Sequence, residues 1–261
     1  MIDAGYAAAG ALTGLLVGIT GVGGGALMTP LLLVVFGIAP TTAIATDLWF
    51  AALTKMVGAS IHQRAGQIDW QVVKRLWTGS LPLALLVVVA IALGEQFQKV
   101  DWLNQAIGLV VVTTAIGMLF ADKLMTIARR KRTGDQALHF KRLQPPLTIL
   151  AGVLLGIIVA LTSIGAGALG SVLLVYLYPL RMTPHRLIAT DLVHAIPLAI
   201  VAGLGYLFAG KVDGTMLLNL LSGSIPAVIL GSLLAGRLPA RWIKRGLAVM
   251  LIAIGVKTLL A

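Results

Sequence analysis

Two aspartates lie inside apolar stretches that are long enough for a lipid bilayer. Asp47 and Asp191 both stand in the four-residue motif Ala-Thr-Asp-Leu. A carboxylate near the bilayer centre costs roughly 2.5–3.5 kcal/mol on insertion scales, which indicates a role for each of them. They predict a proton or cation site, or a hydrogen-bond anchor for a glycine-rich loop. The alternative is a carboxylate stabilised at a helix N-terminus, with Thr46 or Thr190 as the cap.

Two further titratable residues share these apolar stretches. Lys55 offers the single positive charge that an anion site needs. The residue 144 positions later, at the spacing of the two Ala-Thr-Asp-Leu motifs, is Ala199, so only one such charge is present. The alternative is that the Lys55 amine extends to the membrane surface near His62. His194 follows Asp191 by three positions, so the two share a helix face and predict a proton-carrying pair. The alternative is a hydrogen-bonded interior histidine.

Two glycine-rich segments stand before short apolar runs. The first contains Gly23, Gly24 and Gly25, and the second contains Gly165 and Gly167. Glycine lets the backbone leave a helix and expose N–H groups, and a helix that restarts there directs its positive end inward. Together these features predict a cradle for an anion at membrane depth. The alternative is close packing of helices through small residues.

Other chemistries find little support in the sequence. There is no cysteine, which excludes disulfides and thiolate catalysis, and no spacing of metal ligands is present. The first glycine segment is not a dinucleotide fingerprint, because no soluble βαβ unit surrounds it. The two aspartates, the lysine and the histidine within the apolar stretches match no hydrolytic template. We therefore predict no catalytic residue, no metal and no cofactor.

The composition identifies the solvent of the fold as lipid. Of the 261 residues, 59% are hydrophobic and 11% charged, whereas soluble domains carry about a quarter charged residues. The net charge of +11 lies in short stretches between apolar runs, which argues against nucleic acid as a partner. The N-terminus lacks the basic residues of a cleaved signal peptide, so we expect its apolar run to remain as a membrane segment. Ten hydrophobic segments are predicted, at about 4–20, 24–38, 42–61, 77–93, 103–121, 147–163, 165–180, 187–208, 214–235 and 246–261.

An internal repeat divides the chain. The motif at 45–48 recurs at 189–192, 144 positions later. Three further matches share this spacing: Pro40 with Pro184, Gly66–Asp69 with Gly210–Asp213, and Gly79–Pro82 with Gly223–Pro226. Several matches at one spacing indicate duplication. We predict a first transmembrane repeat at 1–121, a basic cytoplasmic linker at 122–146 and a second repeat at 147–261.

The basic residues predict opposite orientations for the two repeats. Sixteen of the 20 lysines and arginines lie in four stretches, 62–75, 122–143, 181–186 and 237–245. The positive-inside rule places these stretches in the cytoplasm and both termini outside. Equivalent loops of the two halves then face opposite sides, unless the charge differences between short loops arise by chance. Inverted repeats are typical of carriers that expose a midplane site alternately to the two sides.

The ordered motifs resemble the TauE/SafE family of sulfite exporters over nearly the whole chain. The resemblance is carried by Gly21–Leu27, Pro30–Leu32, Pro40, His62–Trp70 and the two Ala-Thr-Asp-Leu motifs. It implies movement of a small sulfur-containing anion, such as sulfite or an organosulfonate, across a bacterial inner membrane, usually as export. It also implies that the glycine segments and the Ala-Thr-Asp motifs, including Thr46 and Thr190, line the site. The absence of cysteine argues against the thiosulfate importers of the wider superfamily.

The sequence thus predicts an all-α membrane protein made of two inverted repeats, each with about five hydrophobic segments and a short or glycine-broken helix near the midplane. We predict a secondary transporter of sulfite or a related organosulfonate, with proton coupling through Asp47, Asp191 and His194 as one option. An anion channel and an intramembrane enzyme are the alternatives. Membrane lipid is an expected partner of the basic run 129–132. A homo-oligomer is compatible with the sequence, which does not decide whether 24–38 and 165–180 span the membrane or re-enter.

Overall fold

The computed structural model describes residues 3–20, 25–62, 68–93, 101–130, 136–234 and 240–260, and these residues form ten α-helices and no strand. In chain order the helices are α1 Ala4–Thr20, α2 Gly25–Val34, α3 Pro40–His62, α4 Trp70–Leu93, α5 Asp101–Arg130, α6 Gln136–Thr162, α7 Ala168–Leu177, α8 Pro184–Phe208, α9 Gly214–Leu234 and α10 Ala240–Leu260. Each predicted hydrophobic segment corresponds to one of these helices. The prediction of an all-α membrane protein is confirmed.

The helices fall into long and short ones. Within the described residues, five stretches are long and apolar enough to cross a membrane: Trp70–Ile91, Asn104–Ala121, Phe140–Thr162, His185–Phe208 and Gly214–Leu234. In contrast, α2 and α7 have 10 residues each, about 15 Å of helix, whereas the hydrocarbon core is about 30 Å thick. Each short helix alone therefore covers about half of that thickness. Helices α5 and α6 continue past the apolar runs into the region 122–146 that we predicted as a linker.

Apolar side chains cover the outside of the bundle, and polar ones lie within it. Leu86 on α4 is 63% exposed, Leu218 on α9 is 70% exposed, and Val249 on α10 is 63% exposed. Asp47 and Lys55, by comparison, are 0% and 2% exposed. This is the reverse of the pattern in water-soluble proteins, and it fits a surrounding of lipid tails.

Glycines bring two pairs of helices into close contact. Helices α1 and α9 pack so closely that a Cβ on Gly10 would collide with the carbonyl oxygen of Leu220. Helices α6 and α4 pack in the same way, and a Cβ on Gly152 would collide with the carbonyl oxygen of Leu76. Close approach through small residues is the usual way in which helices associate within lipid.

Helices α3 and α8 cross at the centre of the bundle. The Trp49 indole, in the first half of α3, donates to the carbonyl of Gly203 near the end of α8, at 3.0 Å. Lys55 lies further along α3, and it interacts electrostatically with Asp191 near the start of α8. The two helices therefore run in opposite directions, and their crossing brings the chemically active residues together.

Candidate functional site

The crossing of α3 and α8 collects four titratable side chains in the interior. Asp47 and Lys55 come from α3, and Asp191 and His194 from α8; each is at most 2% exposed. Lys55 interacts electrostatically with the other three side chains, and more strongly with Asp191 than with Asp47. None of the ion pairs in the described residues joins Lys55 directly to either aspartate. We call these four residues the central cluster.

Lys55 is held inside the protein by a backbone carbonyl. Its Nζ donates a hydrogen bond to the carbonyl oxygen of Ala166, at 3.1 Å. Ala166 belongs to the second glycine segment, between α6 and α7. The alternative prediction, that the amine extends to the membrane surface, is therefore wrong. The only positive charge of the cluster instead lies against the glycine segment at which we predicted an anion.

Asp47 lies beside the first short helix. The Thr29 hydroxyl of α2 donates to Asp47 Oδ2 at 2.5 Å, and the side chain of Ser163 lies next to the same carboxylate. Asp47 Oδ1 and Ser163 Oγ nevertheless have no hydrogen-bond partner of good geometry. Asp47 therefore joins α2 to the segment between α6 and α7, and it retains acceptor capacity.

Asp191 lies beside the second short helix. The backbone N–H of Gly167, just before α7, faces this carboxylate. Gly170, in the first turn of α7, approaches so closely that a Cβ there would lie 2.5 Å from Asp191 Oδ1. Neither carboxylate oxygen has a hydrogen-bond partner of good geometry. The carboxylate is thus positioned at the positive end of α7.

The alternative reading of the aspartates as N-terminal residues of their own helices is wrong. Helix α3 begins at Pro40 and α8 at Pro184, so Asp47 and Asp191 lie about two turns into their helices. Each aspartate faces the early turns of a neighbouring short helix instead. That the aspartates anchor the glycine loops by hydrogen bonds stays a prediction, because neither Asp191 oxygen has a hydrogen-bond partner of good geometry and Asp47 bonds Thr29 of α2.

The second glycine segment has a backbone that only glycine adopts readily. Gly165 and Gly167 have φ angles of 122° and 118°, and Ser163 has a φ of 59°. The chain therefore leaves helical geometry between α6 and α7. In the first segment, Gly25 is the first residue of α2, whereas Gly23 and Gly24 lie outside the described residues.

His194 is tied to α4. Its Nε2 lies 3.1 Å from the Ser80 hydroxyl, and the Trp77 indole donates to its backbone carbonyl at 3.2 Å. Its Nδ1 has no hydrogen-bond partner. His194 therefore links the central cluster to α4. It contacts Ser80 of that helix and interacts electrostatically with Lys55.

Thr46 and Thr190 face the two ends of the bundle. The Thr190 hydroxyl accepts a hydrogen bond from the backbone N–H of Asp69 at 3.0 Å, and the Thr46 hydroxyl accepts one from that of Asp213 at 3.2 Å. Both aspartates directly precede a long helix, α4 or α9. The two threonine hydroxyls thus bond the residues that precede α4 and α9, and not the glycine segments.

The sequence did not single out Thr29, whose hydroxyl bonds Asp47. It placed Ser163 and Ala166 in the second glycine segment, but it did not predict their contacts with Asp47 and Lys55. Asp213 entered only as a marker of the repeat, and Asp69 as a marker of the repeat and of the family resemblance, without a role for either. Their recurrence at one spacing is a signal that could have singled them out.

The central cluster combines two carboxylates with one ammonium group and one imidazole. No group of three residues suited to hold a metal ion occurs among the described residues. Because the four side chains are nearly inaccessible, the cluster is closed to both ends of the bundle in this conformation. Buried ionisable groups inside membrane helices mark pathways for ions, substrates or protons.

Comparisons with known proteins agree with this description. The family described as "Sulfite exporter TauE/SafE" matches residues 6–258. A relative from Bacillus subtilis, "Probable membrane transporter protein YjnA", is 39% identical over 217 residues, which are 81% of this chain and 82% of the relative. A second Bacillus subtilis relative, "Probable membrane transporter protein YdhB", is 27% identical over 216 residues, covering 80% of this chain and 81% of the relative. No solved structure matches the chain.

The resemblance noted in the sequence is thereby confirmed. The family and these relatives are membrane transporters and not enzymes, so the enzyme alternative falls away. With its long apolar helices, the chain is an integral, multi-pass membrane protein. It is a membrane transporter that belongs to the TauE/SafE family.

Proposed function

We propose that the protein is a secondary transporter that exports sulfite or a related small organosulfonate across the bacterial inner membrane by alternating access. The observation that carries this proposal is the buried Lys55 ammonium, bonded to the glycine segment that precedes α7. A cation, the backbone N–H of Gly167 and the N-terminus of α7 converge there, and each favours an oxyanion. The family match supports sulfite as the first anion to test.

Two halves of opposite orientation suit alternating access, and the helix contacts support such an arrangement. The packing of α1 on α9 has its counterpart in the packing of α6 on α4. The bond from Asp69 to Thr190 has its counterpart in the bond from Asp213 to Thr46, at the spacing of 144 residues. Each of these two bonds closes one end of the path to the central cluster. Opening them one at a time would expose the cluster first to one side and then to the other.

The proposed orientation places the basic stretches in the cytoplasm and both termini in the periplasm. Because the chain has no cysteine, single cysteines report accessibility directly. We expect the variants His185→Cys and Lys211→Cys to react with a membrane-impermeant thiol reagent from opposite sides of the membrane. His185 represents the basic face, since Arg64 lies outside the described residues. Labelling of both cysteines from one side would refute the inverted arrangement.

Asp191 and the transported anion compete for the same donors in this proposal. The carboxylate already occupies the positive end of α7, so an entering anion has to displace it or meet it in the protonated form. The cluster carries two carboxylates and one ammonium, a formal charge of −1 when all three groups are ionised. One proton taken up by Asp47 or Asp191 compensates one entering negative charge, which makes proton coupling energetically favourable. His194 is then a candidate to pass the proton.

Flux measurements in proteoliposomes test the function. We expect sulfite efflux that saturates with concentration, as for a carrier. We also expect that Asp47→Asn and Asp191→Asn change the dependence of flux on pH, whereas the exposed Asp3→Asn does not. An ohmic sulfite current would instead identify an anion channel. Wild-type pH profiles in both aspartate variants would eliminate proton coupling through these residues.

A further inference from the structure

A basic cavity lies at one end of the bundle, away from the central cluster. It has a volume of about 370 Å³ and lies where α4 and α6 begin and α7 ends. Arg75, Lys141 and Arg181 contribute three cations to its wall, and Gln71 and Gln144 contribute amides. Among the described residues that line it there is no carboxylate.

We propose that this cavity binds a phosphate- or sulfonate-bearing organic anion, at a site distinct from the transport path. Guanidinium groups present paired N–H donors that match the oxygens of such anions. The cavity falls within the size range of small-molecule sites and is much larger than one inorganic ion needs. Apolar walls from Phe140, Pro145 and Leu180 suit the carbon portion of the ligand.

Two of the cations are held in place by their neighbours. Arg75 Nη1 donates to the Tyr178 hydroxyl at 3.2 Å, and this buried hydroxyl lies 2.7 Å from that of Thr148. Arg181 Nη1 donates to Gln71 Oε1 at 2.9 Å. The Arg75 guanidinium is therefore positioned before a ligand arrives, which reduces the entropy lost on binding, whereas Arg181 has to release Asp69 to bind one.

Arg181 also connects the cavity to the end of the transport path. Its Nε lies 2.5 Å from Asp69 Oδ2, and its Nη2 donates to Asp69 Oδ1 at 2.8 Å. The backbone N–H of Asp69 in turn bonds Thr190, which directly precedes Asp191. An anion in the cavity thus competes with Asp69 for Arg181. Arg186 Nη2, 3.3 Å from Asp69 Oδ2, still compensates the carboxylate when Arg181 turns towards the ligand.

Binding to the purified protein tests this site independently of transport, so its failure would leave the proposed function untouched. The probes are glycerol 3-phosphate added to protein in neutral detergent, and vesicles with or without phosphatidylglycerol. Saturable binding of the soluble probe identifies a dissolved ligand. Binding that appears only with phosphatidylglycerol identifies a lipid phosphate as the source. Both results support the same chemistry, and no binding of either probe overturns the proposal.

A pair of matched double variants localises the binding. Arg75→Gln with Lys141→Gln removes two cations from the cavity, and we expect affinity to fall about tenfold or more. Lys74→Gln with Arg142→Gln removes the same charge from exposed neighbours outside the cavity wall, and we expect affinity close to that of the wild type. An equal loss in the two doubles would mean general surface attraction and would overturn the proposal.

The competition between Asp69 and the ligand for Arg181 predicts that one substitution raises the affinity for the probe. Asp69→Asn removes the negative charge that holds Arg181, so we expect the probe to bind several-fold more tightly than to the wild type. Weaker or unchanged binding to the folded variant would overturn the link between the cavity and Asp69. If this variant does not fold, the comparison of the two double variants decides the existence of the site.

Discussion

Replacement of Lys55 by methionine is expected to reduce sulfite flux in proteoliposomes by about 100-fold or more. Methionine keeps the length of the side chain and removes the only positive charge of the central cluster. The loss includes a charge-assisted contact to the anion, worth about 3 kcal/mol, which corresponds to roughly a factor of 100. It also leaves two buried carboxylates without a compensating cation. Initial rates of efflux at equal amounts of reconstituted protein provide the measurement.

Two further variants separate transport from folding. Lys74→Met makes the same substitution at an exposed position of α4, and we expect wild-type flux from it. Lys55→Met combined with Asp191→Asn returns the cluster charge to −1. We expect its Tm in detergent to recover towards the wild-type value while flux remains lost. Normal flux in either variant that lacks the lysine would contradict the assignment of Lys55 to the anion.

The helices could be predicted from the sequence because lipid imposes one simple requirement. Every backbone polar group inside the bilayer has to be satisfied within the segment, so a long apolar run becomes a helix. This argument places α8 at 187–208, and the structure has Pro184–Phe208. It fails at the end of α5, which continues to Arg130, because outside the lipid a polar helix and a polar loop have similar patterns.

The composition of the central cluster was also accessible from the sequence, whereas its internal contacts were not. Charge inside an apolar run singles out Asp47, Lys55, Asp191 and His194, since burial there needs compensation. The carbonyl of Ala166 carries no such signal, because every residue has a carbonyl and only packing decides which one is free to accept. For the same reason the hydroxyls of Thr46 and Thr190, next to the aspartates in sequence, bond to the ends of the bundle instead.

Replacement of Gly167 by valine is expected to lower sulfite flux strongly while the protein still inserts into the membrane. With φ at 118°, this position lies where side chains other than hydrogen are strained. The strain costs about 1–3 kcal/mol, and relief of it moves the backbone N–H that faces Asp191. We therefore expect a decrease in flux of roughly 5- to 150-fold, measured as initial efflux rates in proteoliposomes.

A matched control separates strain at the site from strain in general. Gly37 has a φ of 64°, and a Cβ there would meet no atom within 4 Å, so Gly37→Val introduces backbone strain away from the central cluster. We expect Gly37→Val to lower Tm and to keep its flux. Gly24 lies outside the described residues, and the sequence alone predicts that Gly24→Leu inserts and does not transport. If Gly167→Val and Gly37→Val lost flux equally, backbone strain alone would account for the effect, and the glycine segment would be a packing element without a role in holding the anion.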